Sequence, residues 1–276
     1  MLKKRIITSL WFGPLLVAVV WFGGEAGFTA LILIFGLLAA VEFYRMVSLS
    51  KASPLIYFGL IWTAFFILSR NSELLALLEP HFELGLLIPL LLTSAIGLSL
   101  IGHLARRQKE EAFTSWVWTM AGILYVGWLL SYLVALRGLD DGRNWVFFVL
   151  FVTWVSDTTA FFVGRALGRH HLAPNISPGK TWEGAIGGIC GAIIISILFF
   201  ASTPFKLPLI PWQAILLSIL VSVFGQVGDL IESLLKRNTG VKDSGTLMSG
   251  HGGILDRLDS IVFAGVVVYY YVIWAI

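Results

Sequence analysis

The chain has 276 residues, of which 58% are hydrophobic and 13% charged, and its formal net charge is +3. An ordinary soluble domain carries roughly 25% charged residues, so the composition excludes a water-soluble fold and points to a polytopic membrane protein. The small, scattered positive charge marks no nucleic-acid surface. The single cysteine, Cys190, excludes an intrachain disulfide or a thiol metal site and reads as a small packing residue.

Backbone groups in hydrocarbon must be satisfied within the chain, and the apolar runs do not alternate with polar residues, so the fold class is all-α rather than a barrel. A crossing helix needs roughly 20 apolar residues. The chain begins "MLKKR" before an apolar run, which reads as an uncleaved first helix because no A-x-A site follows. In chain order the expected spans are 6–22, 26–44, 54–69, 84–103, 115–136, 145–164, 184–202, 212–233 and 258–276, nine in all, with the third short. Residues 1–140 form the N-terminal transmembrane helices and 141–276 the C-terminal catalytic region of one integrated membrane domain.

Basic residues orient these spans. With the N-terminus in the cytoplasm, the inner segments hold fifteen: Lys3, Lys4, Arg5, Arg45, Lys51, Arg106, Arg107, Lys109, Arg165, Arg169, Lys180, Lys236, Arg237, Lys242 and Arg257. The outer ones hold four: Arg70, Arg137, Arg143 and Lys206. That bias is strongly positive-inside. It also puts the two polar, glycine-rich connections, 165–183 and 236–257, on the cytoplasmic side, where a site is expected.

Three stretches carry the chemistry. In "SDTTAFFVGRALGRHHLAPNISPGKTWEG", Asp157 falls inside the sixth span, is expected to be buried, and needs a partner or a wet cavity. Pro178 and Gly179 are expected to form a turn before Lys180, with Thr181 and Glu183 opening the next helix; Lys180, Arg165 and Arg169 suit anionic phosphate. The Walker spacing is missing, and Trp182 reads as an interface anchor. In "GDLIESLLKR", Asp229, Ser233 and then Lys236 or Arg237 recur at helical spacing on one face, with Glu232 beside them. A basic pair near a helix C-terminus is favoured by the macrodipole and by headgroups, but that does not account for Asp229. In "GHGGILDRLD", Asp256 and Asp259 project to one side if the last helix begins there. Two carboxylates on adjacent turns favour a cation beside them, and hard oxygen ligands suit Mg2+, which takes one or two carboxylates and completes its shell with water and phosphate. Gly245, Gly250, Gly252 and Gly253 allow the close backbone approach of a phosphate cradle. His251 reads equally as a phosphate or base contact and as a loop anchor.

"SLLKRNTGVKDSGTLMSGHGGILDRLDS" resembles the signature of the CDP-diacylglycerol synthases (phosphatidate cytidylyltransferases), S-x-x-K-R-x₄-K-D-x-[GSA] followed by H-G-G-x-x-D-R-x-D. Ser233, Lys236, Arg237, Lys242, Asp243, Gly245, His251, Gly252, Gly253, Asp256, Arg257 and Asp259 fill every specified position. "APNISPGKTWEG", with Ser177 and Lys180, is similar to the family's second characteristic stretch. One departure is Ser249, where the family usually has proline or glycine. The resemblance is carried by the C-terminal half, the N-terminal half matching only as hydrophobic spans.

The resemblance implies transfer of a cytidylyl group from CTP to phosphatidate, giving CDP-diacylglycerol and pyrophosphate, in the inner (plasma) membrane with the site facing the cytoplasm. It implies Mg2+, a second monovalent cation such as K+, and a homodimer. On that reading Asp229, Asp256 and Asp259 hold metal and, with Lys236 and Lys242, form the catalytic set. Lys180, Ser177, Arg237, Asp243, His251, Gly252, Gly253, Arg257 and Ser233 handle the substrates. Two alternatives stand beside it. A CTP-dependent polyprenol kinase or another CTP-dependent lipid phosphotransferase shares the phosphate chemistry, although the CDP-alcohol phosphotransferase pattern is absent. An ion-coupled transporter would also hold an acid such as Asp157, but has no need of a polar loop dense in acids and bases.

Overall fold

The computed structural model describes residues 13–50, 52–106, 111–201, 205–245 and 252–276. The helices are α1 (Gly13–Phe22), α2 (Gly24–Ser48), α3 (Ile56–Leu68), α4 (Ser72–Leu78), α5 (Leu87–Leu104), α6 (Ala112–Gly122), α7 (Leu129–Arg137), α8 (Gly142–Leu167), α9 (Trp182–Ala201), α10 (Pro211–Asn238) and α11 (Leu255–Ala275). A two-stranded antiparallel hairpin, β1 (His171–Ala173) and β2 (Ser177–Thr181), joins α8 to α9. Among the described residues six helical segments are long and apolar enough to cross a bilayer, or seven if the bent pair α3 and α4 is one span. Gly13–Phe22 and Trp182–Leu198 are shorter apolar helices. The fold is therefore an all-α membrane architecture, and these lengths do not establish a count of nine. Part of the expected first span lies outside the described residues.

The chain divides into two compact units, Met1–Gly138 with Asn238–Asp256, and Leu139–Arg237 with Arg257–Ile276. In the first, the Tyr44 hydroxyl of α2 donates to the Thr119 carbonyl of α6 at 2.8 Å, and both residues are fully buried. Phe66, Ala95, Met120 and Ile123 pack into a shared apolar cluster. Between α6 and α7 the helix widens into a π segment, Ile123–Trp128, where Gly127 lies against the Thr63 backbone. The expected third span appears as α3, and the chain bends by 90° beyond it: Asn71 Oδ1 accepts from the Leu74 N–H at 2.8 Å and caps α4.

In the second unit, α8 and α9 pack through small residues. A Cβ on Gly184 would fall 2.8 Å from the Ala160 carbonyl oxygen and 3.1 Å from Gly164 Cα, so the two backbones meet without side chains between them. Ser156 and Ser222 share a hydrogen bond of 2.7 Å between α8 and α10, and Gln226 Nε2 donates to Ser222 Oγ and to the Ala185 carbonyl. Such ties replace the hydrophobic effect, which is weak between helices in lipid.

Two local expectations are corrected. Cys190 is exposed on α9 rather than packed. Pro178 and Gly179 lie within β2, and the turn falls at 174–176, where the Ile176 N–H donates to the Ala173 carbonyl. Cross-strand pairing overrides the turn chemistry of that dipeptide because β2 is an edge strand, where a proline removes no ladder bond.

Candidate active site

Thr181 closes β2 and caps α9, its Oγ1 accepting from the Gly184 N–H at 3.1 Å. Glu183 in the first turn faces back to the start of the hairpin. His170 Nδ1 lies 2.6 Å from Glu183 Oε1, and the backbone N–H groups of Arg169 and His170 donate to Oε2. The His170 ring first, and these backbone donors after it, hold the Glu183 carboxyl down at about 2.

The hairpin thus pinned delivers Lys180 to α10. Lys180 Nζ sits 2.7 Å from Asp229 Oδ2 and 3.5 Å from the Gln226 carbonyl oxygen. On the same face of α10, one turn on, the Ser233 hydroxyl donates to Asp229 Oδ1 at 3.4 Å, as the helical spacing predicts. Glu232 is fully buried, and its Oε2 lies 3.4 Å from Lys236 Nζ one turn further. From α11, Asp259 lies beside Asp229, Glu232 and Lys236. The close crossing that brings it there is made at Gly228, where any Cβ would overlap the Asp259 carbonyl. Asp157 of α8, expected to be buried, is exposed, and it senses the charges of Asp229, Asp259 and Lys180. An acid inside an apolar helix needs a partner or a wet cavity, and the charged cluster supplies the partner. Arg237 Nε donates to the Ile176 carbonyl at 3.3 Å, tying the end of α10 to the hairpin turn beside Ser177, while Arg257 is exposed. Four carboxylates and two lysines from α8, β2, α10 and α11 therefore converge within the second unit.

The rest of the signature folds in the first unit. Lys242 and Asp243 are exposed and Ser244 is buried. Asp256 Oδ2 accepts from the backbone N–H groups of Gly253 at 2.7 Å and Ser244 at 3.2 Å, so this carboxylate fastens the two ends of the loop together. Gly252 holds φ at +81°, a conformation that favours glycine. His251 and Ser249 lie outside the described residues, as do Lys3, Lys4, Arg5, Lys51, Arg107 and Lys109.

One residue of this unit is missing from the expected set. Glu42 on α2 is 2% exposed and accepts the Leu255 N–H at 3.0 Å. The available signal was a lone acid inside an apolar run, which is costly in a membrane and functional by default.

Among the described residues no three His, Cys, Asp or Glu side chains are set to hold a metal ion by themselves. The donor set of the second unit nevertheless fits Mg2+. Asp229 and Asp259 supply two hard carboxylates in each other's field, and this ion usually draws its other ligands from water and substrate phosphates.

The cytidylyltransferase family model matches residues 3–274. The likeness thus spans nearly the whole chain and corrects the expectation that the N-terminal half matches only as hydrophobic spans. The chain is 36% identical over 268 residues to the phosphatidate cytidylyltransferase of Bacillus subtilis (strain 168), covering 95% of this chain and 94% of that protein. It is 35% identical over 277 residues to the protein of that name from Brucella abortus biovar 1 (strain 9-941), covering 97% and 92%. Over 169 residues it is 40% identical to the phosphatidate cytidylyltransferase of Staphylococcus haemolyticus (strain JCSC1435), covering 61% and 64%. These matches make the chain a nucleotidyltransferase that belongs to the cytidylyltransferase family.

Proposed function

We propose that the chain transfers the cytidylyl group of CTP to phosphatidate, releasing pyrophosphate and leaving CDP-diacylglycerol in the bilayer, with the site open to the cytoplasmic face of the inner membrane. The observation that carries this reading is the convergence of Lys180, Asp229, Asp259 and Lys236 at the polar ends of otherwise apolar helices. The substrates differ in where they can reside. Moving phosphatidate into water costs about 0.8 kcal/mol for each exposed CH₂, and a triphosphate cannot enter hydrocarbon. The two must meet in a polar recess that opens to both phases, and the exposed Asp157 supports such a recess.

A phosphatidate phosphate oxygen is ionised near neutral pH, so the chain needs no general base. That oxygen attacks the α-phosphorus of CTP in line. The new P–O bond forms as the bond between α-phosphorus and the bridging oxygen breaks, and the electron pair leaves with pyrophosphate. The obstacle is repulsion between two polyanions, so positioning and charge neutralisation supply the catalysis. Lys180 and Lys236 each face a carboxylate, which aims both ammonium groups into the cluster where phosphates would bind. Asp229 and Asp259 would hold Mg2+, which supplies charge neutralisation on the triphosphate and leaving group when bound. The fifteen-to-four bias of basic residues supports the cytoplasmic orientation.

The test is pyrophosphate release by the purified chain in mixed micelles containing CTP and Mg2+, with and without phosphatidate. Release that requires phosphatidate and yields a CDP-lipid supports the reading. Release without any lipid acceptor, or with polyprenol only, overturns it.

A further inference from the structure

Glu42 stands apart from the cluster described above. It sits near the end of the apolar helix α2, 2% exposed, and none of the ion pairs among the described residues involves it. A buried carboxylate without a cation needs hydrogen-bond donors, and those it has come from the backbone at the start of α11. The Leu255 N–H donates to Oε2 at 3.0 Å, and the Ile254 backbone also bonds the carboxylate. The chain wraps around the carboxylate so tightly that side chains are excluded on two sides. A Cβ on Gly245 would overlap Oε1, and one on Gly253 would overlap both Oε2 and Ser244 Oγ. Oε1 itself has no hydrogen-bond partner. Asp256 is the neighbouring charge, and its Oδ2 gathers the Ser244 and Gly253 N–H groups. The two acids thus divide the loop between them, Asp256 closing it on itself and Glu42 anchoring its end to α2.

We propose that Glu42 is a positioning residue that fixes the backbone of residues 244–245 and 252–256 on α2 and so sets the place of Asp256 and of Gly245, Gly252 and Gly253. This rests on the reading of that loop as substrate-handling. Among the described residues the donors to this carboxylate come from that segment, and a helix that needed only packing at this position would carry an apolar residue. Misplacing a reacting group by about 1 Å costs on the order of a hundredfold in rate. Removal of Glu42 therefore acts on kcat more than on the KM for CTP.

The experiment compares full-length wild type, E42Q, E42A, G245A and the E42A/G245A double variant in phosphatidate mixed micelles, reading kcat, KM for CTP and thermal unfolding. E42Q keeps a carbonyl acceptor for the Leu255 N–H and is expected within about tenfold of wild type, whereas E42A is expected to lose about a hundredfold in kcat with a small change in KM. G245A, whose added methyl group meets Glu42 atoms as its nearest neighbours, is expected to lower the unfolding temperature of wild type but not of E42A. Turnover of E42A within about threefold of wild type overturns the proposal. So does an additive effect of G245A and E42A on unfolding, which means the carboxylate does not seat the loop. If wild type shows no phosphatidate-dependent turnover, the functional reading fails, and the unfolding arm still decides whether Glu42 fixes the loop.

Discussion

Lys180 Nζ and Asp229 Oδ2 lie 2.7 Å apart, which joins the hairpin between α8 and α9 to α10. An ordinary structural ion pair would survive exchange of its two charges, whereas a lysine held ready for phosphate would not. K180A is expected to lower kcat/KM by about a hundredfold, and the exchanged pair K180D/D229K is expected to recover none of that loss. Neutral substitutions at Lys51 and Lys109 are expected to be nearly silent. Steady-state kinetics with CTP and phosphatidate varied separately checks this. Recovery in the exchanged variant assigns the pair to structure alone.

The carboxylates facing that lysine are expected to act through the metal they share with substrate phosphates. D259N and D229N should insert and purify normally while losing about a hundredfold or more in turnover, the loss rising when Mg2+ is lowered. Turnover near wild type in both variants, measured across a Mg2+ titration, contradicts the assignment.

Glu183 and His170 give the hairpin a pH dependence of defined sign. Because the folded state depresses the Glu183 pKa from 4.5 to about 2, the pair stabilises the fold fully above the unfolded value. It loses that contribution as pH falls through the interval between the two values. Thermal unfolding of wild type and E183Q from about pH 6 downward checks it: the advantage of wild type is expected to be constant at the upper end and to shrink below about pH 4.5. An advantage that grows on acidification reverses the sign and excludes the pair as its source.

Where α8 meets α9 the neighbours of Gly184 are backbone atoms, which cannot rotate away. G184V is expected to destabilise the second unit by about 1–3 kcal/mol, read as a fall in the unfolding temperature in detergent, with activity per folded molecule preserved. An unchanged unfolding temperature contradicts the close backbone crossing.

Much of this was legible in the sequence. The apolar stretches 84–103, 145–164 and 212–233 appear as Leu84–Leu104, Gly142–Leu167 and Pro211–Asn238. The helices outrun the apolar stretches because backbone hydrogen bonding continues past the hydrocarbon edge, as in the polar GDLIESLLKR turns of α10. The helical repeat of Asp229 and Ser233 gave the face that the structure shows. Hydropathy ended the third span where α3 ends but could not give the short helix α4, which Asn71 caps, or the π segment at Ile123–Trp128, where Gly127 packs against Thr63. The hairpin was hidden because SPGKT lacks β-branched strand formers apart from its last residue, and only pairing with β1 makes it a strand. Glu42 was hidden differently: its partners are backbone N–H groups 212 and 213 residues away, and no local pattern announces them.

The most direct measurement follows the fate of individual phosphates. Purified wild type is supplied with Mg2+, phosphatidate and CTP labelled at either the α- or the γ-phosphate, and the lipid phase is extracted. Attack at the α-phosphorus puts the α-label into the lipid and the γ-label into aqueous pyrophosphate, with D259N moving neither. Recovery of the γ-label in the lipid would mean kinase chemistry and would contradict cytidylyl transfer at this site.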